Sequence, residues 1–192
     1  MGKTVLFSIH PEHCLKIARG EKTVEVRKTA PKIPTPFKSY IYVTRKRPYL
    51  VWGDVFRGDW NTEFTDLRGY GIEEAKRHWD VFNGNVMGEF ICRRVVPFTV
   101  GSLGSDDIMK AACLSYEELI YYFYGKDGPD GKTVKRGYGI DISSVTIYDT
   151  PLPLTDLHQD CSSCGYVGAR NGNCDFIIRR PPQSWCYVGC RP

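Results

Sequence analysis

The sequence predicts an α+β protein, a small mixed β-barrel with flanking helices over its ends. Three observations point there. Five or six short runs carry the β-branched and aromatic residues that favour strands. Only two stretches, opening at Pro11 and at Ser115, carry clear helix start signals. The two kinds of element do not alternate in βαβ fashion, which sets aside a doubly wound parallel sheet. With 192 residues, 42% of them hydrophobic, the chain is long enough for one full core, and 1–192 reads as a single domain.

The elements follow in order. Residues 4–9 read as a first strand. Pro11 suits the first turn of a helix, which the spacing of Cys14, Ile17 and Ala18 carries to about Arg19, with Gly20 as its left-handed stop. Residues 20–28 form a polar strand. Pro31, Pro34 and Pro36 make 29–37 a loop. Residues 39–44 are a strand ending in the basic cluster Arg45-Lys46-Arg47. Residues 49–85 mix aromatics, glycines and charges and read as an insertion packed on the body and shaping a cleft, with two helical turns near 73–79. Residues 86–96 read as one long strand with a bulge at Gly88. Ser115 and Glu118 have capping-box spacing before a helix that stops near Gly125. Residues 138–148 are one strand or two short ones, ended by Pro151 and Pro153. A Pro-led strand over 180–188, suited to an edge, closes the chain.

Composition narrows the function classes. Charged residues make up 25% and the net charge is +4, compatible with a polyanionic partner. No apolar run approaches the roughly 20 residues that span a membrane. The first residues lack a leader pattern, so a cytoplasmic protein without membrane contact is expected. There is no phosphate loop, dinucleotide fingerprint or Ser-His-Asp order. Adjacent helix residues do not face each other, which excludes a His13–Cys14 dyad.

Of eight cysteines, Cys14, Cys92 and Cys113 sit in apolar or helical contexts and read as small buried hydrophobes. The other five fall in a Cys-rich segment, 158–190. Cys161-x-x-Cys164 is a knuckle, and Cys174 and Cys190 complete a four-thiolate set for structural Zn²⁺. Cys186 lies mid-strand, and His158 is a further ligand option.

The most informative stretch is 20–28. In a strand, Val24 and Val26 face one way and Thr23, Glu25 and Arg27 the other. Two readings are open: a solvated sheet face with ion pairs, or a polar cleft floor. In a cleft, Arg27 clamps a phosphate or carboxylate and Glu25 accepts hydrogen bonds from a base edge. Simple alternation leaves Lys22 on the valine face, so it joins the site only if the turn after Gly20 breaks the register. Tyrosines and Trp185 near arginines add the stacking and phosphate chemistry of nucleotide binding, against the plain alternative that strand aromatics are core.

These pieces together resemble one known family. Gly20-Glu21-Lys22-Thr23-Val24-Glu25-Val26-Arg27 is close to the G-x-K-x-x-E-x-R signature of the ASCH domain family, a branch of the PUA-like fold. The strand at 40–44, Val86 to Phe90, Tyr138 to Ile142, Tyr148 to Pro151 and Pro181-Pro182-Gln183-Ser184-Trp185 resemble it too. The ending is similar to that of phage- and bacterial-type members. The resemblance implies a PUA-like barrel with a cleft beside the first helix, and recognition of RNA or a modified nucleotide. The implied ligand contacts are Lys22, Thr23, Glu25, Arg27, Thr44, Arg45, Tyr138, Gln183 and Ser184. Small hydrolases of the family act on acylated cytidine with a K-x-x-T pattern and a later Glu, and other relatives are linked to RNA cleavage. Here Lys22 fills the Lys slot, Glu25 replaces the Thr, and Glu117 or Glu118 is the candidate third member. A hydrolase is therefore the alternative to a binding protein. A module that captures a protein partner through 49–85 is the third reading.

Overall fold

The computed structural model describes residues 3–52, 64–67, 69–102, 104–131, 133–159 and 177–189. In chain order these form β1 (Thr4–Ile9), α1 (Pro11–Ala18), β2 (Val24–Arg27), β3 (Phe37–Val43), β4 (Tyr49–Trp52), β5 (Phe64–Leu67) and α2 (Ile72–His78). Then come β6 (Asn85–Cys92), β7 (Val95–Thr99), α3 (Ser105–Ala112), α4 (Tyr116–Tyr124), β8 (Arg136–Asp141), β9 (Ser143–Pro153) and β10 (Trp185–Val188). Five strands pair in the order β10-β1-β3-β6-β9, with β1 and β3 parallel and the other pairs antiparallel. A second, antiparallel sheet runs β2-β8-β7, and β4 and β5 form a separate hairpin.

The main core lies beneath α1. Every residue of β1 is buried, and Phe7, Ile9, Ile41 and Phe90 meet Cys14, Leu15 and Ile17 from the helix. Those helix positions recur at the spacing that puts one face on a sheet. A second core, under β2, β7 and β8, joins Val26 and Phe98 to Ala112, Leu119 and Phe123 of α3 and α4. The β4 strand works on both faces. Leu50 and Trp52 reach the main core, while Val51 packs with Ala75 of α2 and Val81. The hairpin and α2 thus dock on the body through β4.

Several expectations change. The run 86–96 is two strands in different sheets, because the chain turns a corner at Arg93-Arg94. There Arg93 N–H donates to Asp141 Oδ2 at 3.3 Å, and Asp141 N–H to the Arg94 carbonyl at 3.0 Å. The run 138–148 is also two strands, and Pro151 and Pro153 lie inside β9 rather than ending it. The polar strand is shorter than 20–28, and the last strand starts at Trp185. Helix α3 was not anticipated. The bulge at Gly88 is present: pairing with β3 and with β9 shifts beside it, and a Cβ there would lie 2.2 Å from the Thr146 carbonyl oxygen. The capping box is formed, with Glu118 N–H donating to Ser115 Oγ at 3.1 Å and Ser115 N–H to Glu118 Oε2 at 2.8 Å. No helix among the described residues is long and apolar enough to cross a membrane.

Candidate functional site

A cleft of about 1050 Å³ opens between the end of β1, the start of α1, residues 22–29, the end of β3, α4 and residues 179–184. Its floor is charged and buried. Lys22 is 2% exposed, and Glu25 and Arg27 are each 7% exposed. Arg27 Nη2 lies 2.9 Å from Glu25 Oε1 and donates to the Ser8 carbonyl at 2.6 Å. Lys22 Nζ donates to the Ala112 carbonyl at 2.8 Å and lies 3.3 Å from Glu25 Oε2, an ion-pair distance without hydrogen-bond alignment. The Arg27 guanidinium also stands 5.7 Å from the Phe7 ring centroid. Two cations share one carboxylate, so the group carries a net positive charge in a place where unpaired charge is costly.

The turn after α1 builds this floor. Gly20 takes a left-handed φ of +73°, and the amides of Glu21 and Lys22 both donate to the Lys16 carbonyl. The chain folds back over the helix end and enters β2 only at Val24. Strand alternation therefore does not govern Lys22, and its side chain reaches the Glu25 side. From β2 onward alternation holds, with Glu25 and Arg27 on the cleft face.

Electrostatics follow from burial and these neighbours. Burial alone would push the Glu25 carboxyl up, but Lys22 and Arg27 outweigh it and hold its pKa below 4.5. Burial, then Lys22, lowers the His13 pKa; burial, then Lys46 and Arg27, lowers that of His10. Cys14 is pushed well up by burial and by Glu25, and stays an inert thiol donating to the Ile9 carbonyl at 3.6 Å. Four buried polar atoms at the floor, His13 Nδ1, Thr44 Oγ1, Arg27 Nε and Glu25 Oε2, have no hydrogen-bond partner.

The rim is braced from two sides. Residues 181–184 are pinned to β1: Ser8 Oγ donates to the Pro182 carbonyl at 2.7 Å, and Ser8 N–H to the Ser184 carbonyl at 3.1 Å. Ser184 Oγ accepts from Arg27 Nη1 at 3.5 Å. The loop after β3 is organised by the buried Asn83 side chain. Its Nδ2 donates to the carbonyls of Lys46 at 2.6 Å and Pro48 at 2.9 Å, and its Oδ1 accepts from Leu50 N–H at 2.8 Å. Gly84 lets Arg45 cross it closely, since a Cβ there would sit 3.1 Å from Arg45 Nε.

Of the residues singled out in the sequence, Lys22, Glu25, Arg27, Thr44, Arg45, Gln183 and Ser184 line the cleft, and so does Glu118. Thr23 and Tyr138 do not. Thr23 precedes β2, is exposed, and is tied by its backbone to Ala111 and Ile142. Tyr138 lies across from Arg27 in β8 but packs on the main core. No described residue of 49–85 lines the cleft, and residues 53–63 and 68 of that run lie outside the described residues. The sequence reading missed Ser8, His10, His13, Tyr121 and Tyr122 as lining residues, while Arg179 and Arg180, among the arginines it placed beside aromatics for phosphate, do line the cleft. The two histidines, at the start of α1, were the legible ones, because a helix packed beside the polar strand brings its N-terminal turn to that strand. The zinc set Cys161, Cys164, Cys174 and Cys190 lies outside the described residues. Among the described residues no three His, Cys, Asp or Glu side chains converge as a metal site. Cys186 is described there as a free, half-buried thiol, its pKa pushed by burial to about 11.

No family model matches the sequence, and no curated protein matches it. Solved structures do. An ASCH protein from Zymomonas mobilis superposes with a TM-score of 0.55 over 97% of this chain and 88% of its own, at 19% identity. A tyrosine-to-phenylalanine variant of that protein gives 0.56 over 97% and 91%, and a serine-to-alanine variant gives 0.55 over 98% and 92%, both at 18% identity. The likeness establishes the architecture: an α+β, PUA-like fold of the kind found in ASCH proteins, with helices flanking the strands.

Proposed function

We propose that the protein binds RNA or a modified nucleotide in this cleft. The observation that carries the reading is the buried Lys22–Glu25–Arg27 group, which keeps an excess positive charge at the cleft floor. Beside it lie buried polar atoms without a protein hydrogen-bond partner, among them Thr44 Oγ1 and His13 Nδ1, which a bound ligand could engage. A ligand bringing acceptor atoms, such as base carbonyls, fits that floor. The exposed cations Lys28, Arg45, Arg179 and Arg180 around it fit phosphate. Gln183 and Ser184, on a segment pinned to β1, would present polar groups to the base or sugar. The 181–185 segment, by which the sequence resembles phage- and bacterial-type ASCH members, is part of this proposal.

Binding is favoured over hydrolysis because both candidate carboxylates are engaged. Glu25 holds the two cations, and Glu118 accepts from its own helix cap. The ligand class rests on the chemistry of the cleft. The experiment is titration with the four 5′-mononucleotides and with short oligoribonucleotides at several salt concentrations, using the wild type and Arg45→Ala. Saturable binding that weakens with salt and in the variant is expected. Salt-independent or absent binding would sink the reading, and turnover of an acylated cytidine would reinstate the hydrolase. A structural zinc on Cys161, Cys164, Cys174 and Cys190 is proposed separately. Its test is metal content under reducing conditions, where a stoichiometric equivalent is expected and none would refute it.

A further inference from the structure

We propose that the ligand is a single-stranded nucleic acid, with one nucleotide in the cleft and the neighbouring base stacked on an exposed tyrosine face of α4 at the cleft mouth. This rests on the nucleotide-binding reading. Helix α4 buries Leu119 and Phe123 in the second core and needs no more apolar area to dock. Yet Tyr121 is 59% exposed and Tyr122 37%, and both line the cleft; Tyr116, 52% exposed, lies further along the same helix. Large exposed aromatics clustered at the edge of a cleft are the surface on which bases stack without sequence preference. The Lys28 ammonium stands 5.0 Å from the Tyr122 ring centroid, so a cation accompanies the stacking surface.

Size and charge agree. The cleft, at about 1050 Å³, sits at the upper end of the roughly 300–1,000 Å³ of small-molecule pockets, so a nucleotide does not need all of it. The first turn of α4 carries Glu117 and Glu118. These repel phosphate from the helix and leave the backbone to Arg45, Arg179 and Arg180, with the bases toward the tyrosines.

The test compares the four 5′-mononucleotides with ribo- and deoxyribo-hexamers of each base, on the wild type, Tyr121→Ala and Tyr121→Trp. Hexamers are expected to bind more tightly than the matching mononucleotide. Tyr121→Ala is expected to cut hexamer affinity about tenfold, within the range of one base–aromatic stack, and to lower mononucleotide affinity by much less. Tyr121→Trp should retain hexamer binding. Tyr121 is exposed, and coincident thermal unfolding curves would confirm intact folds. Either sugar satisfies the proposal, and the ribo/deoxy ratio identifies which strand is preferred. If mononucleotides bind and hexamers gain nothing, or if Tyr121→Ala binds hexamers normally, the stacking face is refuted and the cleft reading stands. If neither class binds, both fail.

Discussion

Glu25 is the one acid between two buried cations, so removing its charge leaves Lys22 and Arg27 unpaired in a low-dielectric setting. Glu25→Gln is expected to destabilise the protein by about 3–5 kcal/mol, read from urea unfolding. A loss under 1 kcal/mol would mean the cations are solvated. The pH dependence has a fixed sign. The Glu25 pKa is lowered in the folded state, so its contribution is complete above 4.5 and is lost as pH falls through the lower folded value. His13, whose pKa is also lowered, adds to the acid sensitivity below 6.5, because the unfolded chain takes up the proton first. The wild type should therefore lose stability steadily on acidification, and Glu25→Gln should lose less in the carboxylate range. At this scale the sequence was half legible. Alternation put Glu25 and Arg27 on one face. It could not bring in Lys22, whose place depends on backbone hydrogen bonds to Lys16 after Gly20. Ser8 was hidden because its role is to pin residues 182–184, a contact across more than 170 positions.

At the scale of elements, the loop carrying Arg45 depends on a side chain outside the cleft. Asn83 bonds three backbone groups between Lys46 and Leu50. Asn83→Ala leaves them unsatisfied and should cost about 1–3 kcal/mol. It should also weaken nucleotide binding severalfold by releasing Arg45, although Asn83 lines no part of the cleft. Unchanged binding in a folded Asn83→Ala protein would show that the loop orders itself. Gly88→Ala places a Cβ against the Thr146 carbonyl and should cost about 1–3 kcal/mol, seen as a lower melting temperature. The glycine bulge and the capping box were readable because each is set by one or two residues. Helix α3 was not, being eight residues rich in polar side chains that are held by docking on β2 rather than by their own propensity. The corner at Arg93-Arg94 was also hidden, since Cys92 and Val95 continue an apolar run and only pairing partners distinguish two sheets from one long strand.

At the scale of the whole molecule, strands of two sheets and the helices α1 and α4 converge on one cleft with a cationic rim, on a chain whose net charge is only +4. The charge is local, so salt dependence should track the few phosphates the rim touches. A log–log slope near −0.7 per phosphate neutralised is expected for a single strand. The α+β class and the strand–helix order near the site were legible from residue types and turn signals. The pairing order was not, because β10 and β1 meet from opposite ends of the chain. The central claim, that this cleft is where nucleic acid binds, is tested most directly by amide chemical-shift mapping during titration with a hexaribonucleotide. Shifts are expected at residues 8–10, 22–29, 44–45 and 179–184, with Lys38, at the opposite end of β3 from the cleft, silent. Saturating shifts confined to other surfaces, or none at all, would contradict it.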